Sequence, residues 1–413
     1  MRTTRRLPWL WLALSLLLGG GVSCALLPPN VAPTPVTPKA TPTPVPAPQV
    51  RVWVSPVWGP GTPGGSVLAE VLDGWASRKG VTLVLRVFTR EEMRALMESA
   101  PLVAPQARPH LLLVDQALVE TWVQGERLAG LPREDPWTQR VTETPWFPYA
   151  RATVWLGGGF YALPWAGNAW TLWVLPEDKD AWAQRPWTAW SEDPNAWALP
   201  TGLEEPWPLW SLYRAAGGVF PPSPQRPSDR EALTQVLTLL AESRTREALP
   251  RQALQWRTVE DLLAFGTEVD MWLLPYAQGA RGGNRVPLWI PNPEGEPGPI
   301  PGWVYAWVMP RGLDERARAL ALDLLAELQQ PQVMVQVALE GKWLPVARLD
   351  PWPEAFPWPP EDLERLDARP GPEVMGDWHA RLAQVADEVL RGLREPVEGV
   401  EALLGTEEAP AGE

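Results

Sequence analysis

The chain has 413 residues, among them 51 prolines, 27 tryptophans, two histidines and one cysteine, with a formal net charge of −13. One cysteine excludes an internal disulfide, and one cysteine with two histidines excludes a zinc site of the usual kind. The negative charge argues against nucleic acid as a partner, which needs a basic surface. An apolar fraction of 45% is enough to bury a real core. A histidine-dependent triad would have to use His110 or His379. Phenylalanine and tyrosine number only 6 and 5, so much of the tryptophan stands where another protein would carry those residues. Arginine far outnumbers lysine and isoleucine is scarce, as in a GC-rich coding background. Most of the tryptophans are therefore expected in the core.

Arg2, Arg5 and Arg6 precede an apolar run, Leu7 to Leu18, and three glycines. This is the pattern of a secretory signal over residues 1–23. The run is shorter than the roughly 20 apolar residues of a transmembrane helix, and no later segment is long and apolar enough to span a bilayer. Val22-Ser23-Cys24 resembles the end of a bacterial lipobox, with Gly21 where that motif usually carries leucine. The resemblance implies export, lipidation of Cys24 and attachment to the cell membrane, facing the periplasm or the exterior. Residues 24–49 form a linker, and nine of the 21 residues from 28 to 48 are proline, with Lys39 the only charge. Such a segment reads as an extended spacer of up to about 65 Å at about 3.1 Å per residue.

Beyond the spacer the pattern is α/β. Arg51 to Ser55 reads as a strand and Gly59 to Ser66 as a turn-rich loop, with Ser66 capping a helix on Leu68, Val71, Leu72 and Trp75. Val81, Leu83, Leu85 and Val87 alternate as a strand. Thr89 with Glu92 forms a capping box for the next helix. Leu111 to Val114 is a buried strand run ending in Asp115. Strand, helix and strand in this order imply parallel pairing. Tyr161 to Pro164 leads to a strand over Trp170 to Leu175, and Ala196 to Leu199 is a short strand. Helices follow near Leu209 to Ala216 and over Glu231 to Ser243, and Thr258 with Asp261 caps another. Val269, Met271 and Leu273 alternate as a strand, and residues 279–302 form a Gly/Pro-rich loop. Trp303 to Met309 is a strand and Asp314 to Gln330 a helix. Gln332 to Glu340 is a helix capped by Gly341, and a last helical stretch runs over about Pro372 to Leu404. The 406–413 tail has no pattern of structure.

Four pieces in order resemble the maltose-binding-like family of extracytoplasmic solute-binding proteins of ABC importers. They are Glu205-Pro-Trp-Pro-Leu-Trp-Ser-Leu-Tyr-Arg-Ala-Ala-Gly-Gly218, Tyr161-Ala-Leu-Pro164, Gly302-Trp303 with Met309-Pro310, and the segment from Gln332 to Pro345. The resemblance spans roughly residues 50–405. It implies a two-lobe α/β fold of the type II periplasmic-binding kind, with hinge strands joining the lobes and ligand in the cleft between them. Carried over, lobe one would hold 50–165 plus 275–305, and lobe two 170–272 plus 306–405. The protein would bind a small solute by lobe closure, without bond chemistry or a cofactor or metal, and as a monomer deliver it to membrane permease subunits.

A sugar ring has an apolar face that suits tryptophan and a hydroxyl rim that suits carboxylates and amides. On that basis the candidate ligand residues are Trp58 in the loop after the first strand, and Asp115 at the end of a strand, a position that also suits a helix cap. The resemblance adds Trp165 and Asn168 at the first hinge crossing, with Asn168 where the family carries a carboxylate or similar contact. It also adds Glu205 and Trp207 as acidic and aromatic sugar contacts, Tyr276 as a stacking aromatic, Trp303, and Trp378 near the last helices. Two other readings stay open. One is a lipid-anchored glycosidase, needing two carboxylates about 5 to 10 Å apart; Glu204, Glu205 and Asp115 are the candidates, and no motif pairs them. The other is a sensor or scaffold lipoprotein without a transport role.

Overall fold

The computed structural model describes residues 47–99, 108–132, 134, 136–201 and 206–405. The signal segment, Cys24, most of the proline-rich spacer, Glu205 and the 406–413 tail lie outside the described residues. Among the described residues no helix is long and apolar enough to cross a membrane.

Lobe one is built on three parallel strands, β1 (Gln49–Val54), β2 (Thr82–Val87) and β3 (Leu111–Asp115), in the order β2-β1-β3. Side chains alternate across a strand, and here both faces are covered. Val50, Val52, Val54, Leu111 and Leu113 pack on one face under α1 (Pro63–Lys79) and the helices Glu315–Leu328 and Pro331–Leu339. Trp53, Leu112 and Val114 pack on the other, under α2 (Arg90–Glu98) and α3 (Gln116–Gln124). The capping box at Thr89 and Glu92 forms as the sequence predicts. The start of α1 differs. Thr62, not Ser66, caps it, with Oγ1 accepting from the Gly65 amide at 2.9 Å. Pro63 at the first helical position has the φ that a helix needs, so the second half of the expected loop is helical.

The lobes share their central strands. After a small hairpin, β4 (Trp155–Leu156) and β5 (Gly159–Phe160), β6 runs 13 residues, Ala162–Val174, fully buried from end to end. Its first part belongs to lobe one. Its last part pairs in lobe two with β8 (Met271–Pro275) and β9 (Val286–Leu288), and β8 pairs in turn with β7 (Trp197–Ala198). Antiparallel to β6, β10 (Ile300–Val308) returns from lobe two to lobe one. The register slips between Tyr305 and Ala306, leaving Trp165 as the extra residue. A third crossing follows at Leu344, which exchanges backbone hydrogen bonds with Gly167 at 2.8 and 2.9 Å.

This path divides the chain differently from the expected boundaries. Because β10 ends in lobe one, the chain after it packs there. Trp307 and Met309 and the helices Glu315–Leu328 and Pro331–Leu339 join the lobe-one core rather than lobe two. Residues 286–300, expected in lobe one, belong to lobe two, where Leu288, Trp289, Ile290 and Ile300 are buried. The last helical stretch is three helices, Pro372–Met375, Trp378–Arg391 and Pro396–Leu404, interrupted at Gly392, whose φ of 72° is left-handed, and at Pro396. Glu340 rather than Gly341 closes the helix Pro331–Leu339.

Tyr149 pins the crossings together. It is fully buried, and its hydroxyl donates to the Pro345 carbonyl at 2.6 Å. Its ring lies against Gly167 of β6 and Gly302 of β10. A Cβ at Gly167 would fall 2.0 Å from the Tyr149 hydroxyl oxygen, so a side chain there would push the two crossing strands off their common anchor.

Candidate functional site

The sheet places a crevice at the middle of β10. From one end, β3 pairs antiparallel with Tyr305–Val308 and stops at Asp115. From the other end, β11 (Leu366–Ala368) pairs parallel with Ile300–Gly302. The carboxyl ends of β3 and β11 thus face each other across Trp303 and Val304. In open α/β sheets the crevice beyond the strand carboxyl ends is where ligands bind.

Asp115, Gln116, Ala117, Glu120, Trp303, Arg369, Pro370 and Gly371 line it, around a void of about 10 Å³. Asp115 caps α3, accepting from the Leu118 amide at 3.2 Å, and its other oxygen lies 3.6 Å from Arg90 Nε. Trp303 is 8% exposed. Arg369 donates its amide to the Gly302 carbonyl at 2.8 Å, and its guanidinium sits 4.1 Å over Trp207 and 5.7 Å from Trp303. His379 packs edge-on to Trp207 at 5.0 Å and accepts the Trp210 indole N–H at 2.9 Å. Two groups are electrostatically perturbed. Burial raises the Glu120 carboxyl above its ordinary range; nearby Asp115 and Glu373 act the same way, and Gln116 and Arg369 oppose. Burial, with Asp115 beside it, also raises the Tyr305 phenol.

No family model matches the chain, and no curated protein matches it. Among solved structures it is similar to maltose-bound MalE3 of T. maritima, at 13% identity and a TM-score of 0.68, over 86% of this chain and 98% of that one. The chain has the two-lobe periplasmic-binding-protein fold. In that fold, the mid-β10 crevice is the inter-lobe cleft.

The periplasmic-binding-protein fold brings some of the sequence-predicted residues into the cleft and not others. Asp115 and Trp303 line it, and Trp207 lies one guanidinium away. Trp58 is one aromatic layer further in, 0% exposed. It stacks on Trp343 at 4.4 Å and 15°, and it meets Trp165 at 5.0 Å and Tyr305 at 5.8 Å. Tyr305 pairs with Asp115, so this aromatic stack backs the cleft floor. Trp165 faces the lobe-one core, donating its indole N–H to the Leu328 carbonyl at 3.1 Å. Asn168 is 0% exposed and spends its amide internally: Oδ1 accepts from the Ala169 and Ala277 amides at 3.1 and 3.2 Å, and Nδ2 donates to Gln278 at 3.2 Å. Tyr276 is packed among Trp173, Phe356 and Trp358, and burial raises its phenol. Trp378 opens its helix under the Arg381 guanidinium at 4.6 Å. Glu205 lies outside the described residues.

Gln116, Glu120 and Arg369 are the polar cleft residues that sequence reasoning missed. For Gln116 and Glu120 a signal existed, since polar residues four apart after a strand-ending Asp mark one face of a helix. Arg369 had none, because it reaches the cleft only through the pairing of β11 with β10. No group of three His, Cys, Asp or Glu side chains lies together as a metal cage among the described residues.

Proposed function

We propose that the chain is an extracytoplasmic solute-binding protein that captures a carbohydrate between its lobes and delivers it to an ABC importer. The observation that carries this reading is the cleft itself: tryptophan faces and a carboxylate gathered where two lobes meet on shared strands. Closure is the working step. Ligand binds the closed arrangement better than the open one and shifts the population toward it. The likeness to a maltose-bound protein supports a sugar as solute. The signal pattern, Cys24 and the proline-rich spacer support attachment to the outer face of the membrane, within reach of permease subunits.

A thermal-shift series on the full chain against mono- and oligosaccharides tests the ligand class. Binding to the native state must raise the unfolding temperature. Shifts confined to amino acids, metals or polyamines would overturn the carbohydrate reading. Steady hydrolysis of any glycoside would return the protein to the enzyme class. Radiolabelled palmitate incorporation, lost in Cys24→Ser, tests the anchor.

A further inference from the structure

Lobe one carries a second pocket, of about 370 Å³. That volume is within the range of about 300 to 1,000 Å³ usual for small-ligand sites. Pro109, which precedes β3, and Pro310, which follows β10, both line it, and these two strands run antiparallel. The pocket therefore lies toward the end of β3 opposite Asp115, away from the cleft. Its chemistry does not depend on the carbohydrate reading.

The apolar wall is Trp53 of β1, Leu96 and Met97 of α2, and the two prolines. Trp53 and Met97 are buried, and Phe88 braces the Trp53 ring at 4.8 Å. The loops after α3 and after β10 are joined beside this wall. Leu128 pairs with Pro310 as an isolated bridge, and the Arg311 amide donates to the Arg127 carbonyl at 2.9 Å. A wall made of a strand, a helix and two bridged loops is formed before any ligand arrives.

The charged lining is Arg108, Arg127, Arg311 and Glu126, all at least partly exposed and so on the solvent side. Glu126 is spent on Arg311 at 3.0 Å, and Arg311 Nε also donates to the Leu128 carbonyl at 3.1 Å. Gly312, with a left-handed φ of 83°, leaves room for Arg108: a Cβ there would fall 3.1 Å from the Arg108 Nη1. Arg127 makes no side-chain hydrogen bond or ion pair among the described residues. Its guanidinium donors are unspent beside an apolar wall. Three guanidiniums against one carboxylate make this lining positive, in a chain whose net charge is −13.

We propose that this pocket binds a small anionic amphiphile, with its carboxylate or phosphate head on Arg127 and Arg108 and its apolar tail along Trp53, Leu96 and Met97. The planar guanidinium fork matches an oxyanion bidentately. The tail is held by removal of apolar surface from water. The ligand is a soluble amphiphile rather than a membrane surface, because a chain of net charge −13 is repelled as a whole by an anionic bilayer.

Calorimetric titration of the full-length chain with monomeric laurate tests this. Dodecyltrimethylammonium supplies the same tail on a cationic head, and butyrate the same head with little tail. Laurate should bind, and the other two should bind about tenfold more weakly or worse. Arg127→Gln breaks no side-chain bond of the fold, so it should weaken laurate about tenfold or more at an unchanged urea midpoint. Leu96→Ser should weaken laurate about threefold or more through the lost apolar contact; if that variant folds poorly, Arg127→Gln decides alone. Absence of laurate binding would overturn the proposal. So would equal binding of laurate and dodecyltrimethylammonium unaltered by Arg127→Gln, which would place the tail on the apolar run at residues 7–18. Butyrate binding as tightly as laurate would leave an anion site only and refute the amphiphile class. Displacement of laurate by maltotriose would move the site to the cleft and overturn the assignment.

Discussion

Asn168→Ala separates a hinge residue from a ligand residue. The Asn168 amide is completely buried and makes three internal hydrogen bonds, two accepted by Oδ1 and one donated by Nδ2. One of them holds the Ala277 amide at the start of the short helix Tyr276–Gly279, directly after β8. Truncation leaves that amide buried without an acceptor, which costs about 1–3 kcal/mol, and it removes the bond to Gln278, worth about 0.5–1.5 kcal/mol. A loss of about 2–3 kcal/mol is expected, a 30- to 150-fold fall in the folding equilibrium constant. Urea unfolding followed by tryptophan fluorescence measures it, as a lower midpoint at unchanged slope. The folded variant should keep any affinity that the unaltered chain shows for maltotriose within about twofold, since Asn168 is 0% exposed and presents no surface to a ligand. Unaltered stability with lost binding would refute this account and restore Asn168 as a ligand contact.

Other outcomes follow from single sites. His110 is buried with Nδ1 accepting the Arg51 amide at 3.0 Å, and burial, with Arg51 nearby, lowers its pKa from the usual 6.5 to about 4. Between those pH values the unfolded chain takes up the proton first, so stability should fall on acidification by up to about 3 kcal/mol. Denaturation midpoints at pH 7 and 4.5 should show this drop, and His110→Asn should reduce it. Asp229 is 0% exposed and accepts from the Val219 and Ser223 amides at 2.8 Å and from Arg226 Nε at 2.6 Å. Arg226 keeps its bonds to the Val219 and Pro221 carbonyls and the Val219 amide still donates to the Tyr213 hydroxyl, so Asp229→Ala leaves only the Ser223 amide without an acceptor and should cost about 1–3 kcal/mol by urea unfolding. Trp58→Ala should cost about 3–5 kcal/mol, because it empties the stack between Trp343, Trp165 and Tyr305; a fully stable variant with lost sugar binding would show that Trp58 serves the ligand instead.

The local elements could be read from the sequence because their causes are local. The Thr89–Glu92 capping box, the apolar run Leu111 to Val114 and the alternation over residues 81–87 each need only neighbours to be recognised. The errors arose where distant pairing decides. Residues 306–340 were expected in lobe two, but the direction of β10 sends them to lobe one, and direction is a property of the β6–β10 ladder rather than of the segment. Boundaries moved for similar reasons: Thr62 took the cap from Ser66 because its side chain also reaches the carbonyls of Val57 and Gly59 at 2.9 Å.

Composition limited the roles of the tryptophans without assigning them. With 27 of them and few other large aromatics, most had to fill the core, and Trp165, Trp190, Trp197, Trp210 and Trp307 do, each 0–1% exposed. The sequence by itself determined the α/β class and the kinds of side chain that a sugar cleft would need, and its resemblance to a known family implied the paired lobes. Only the tertiary structure decided which of them meet. Asp115 and Trp303 face one void because β3 and β11 end against the middle of β10. Arg369 reaches Trp207 from more than 160 residues away in sequence, along a strand pairing that no local pattern encodes.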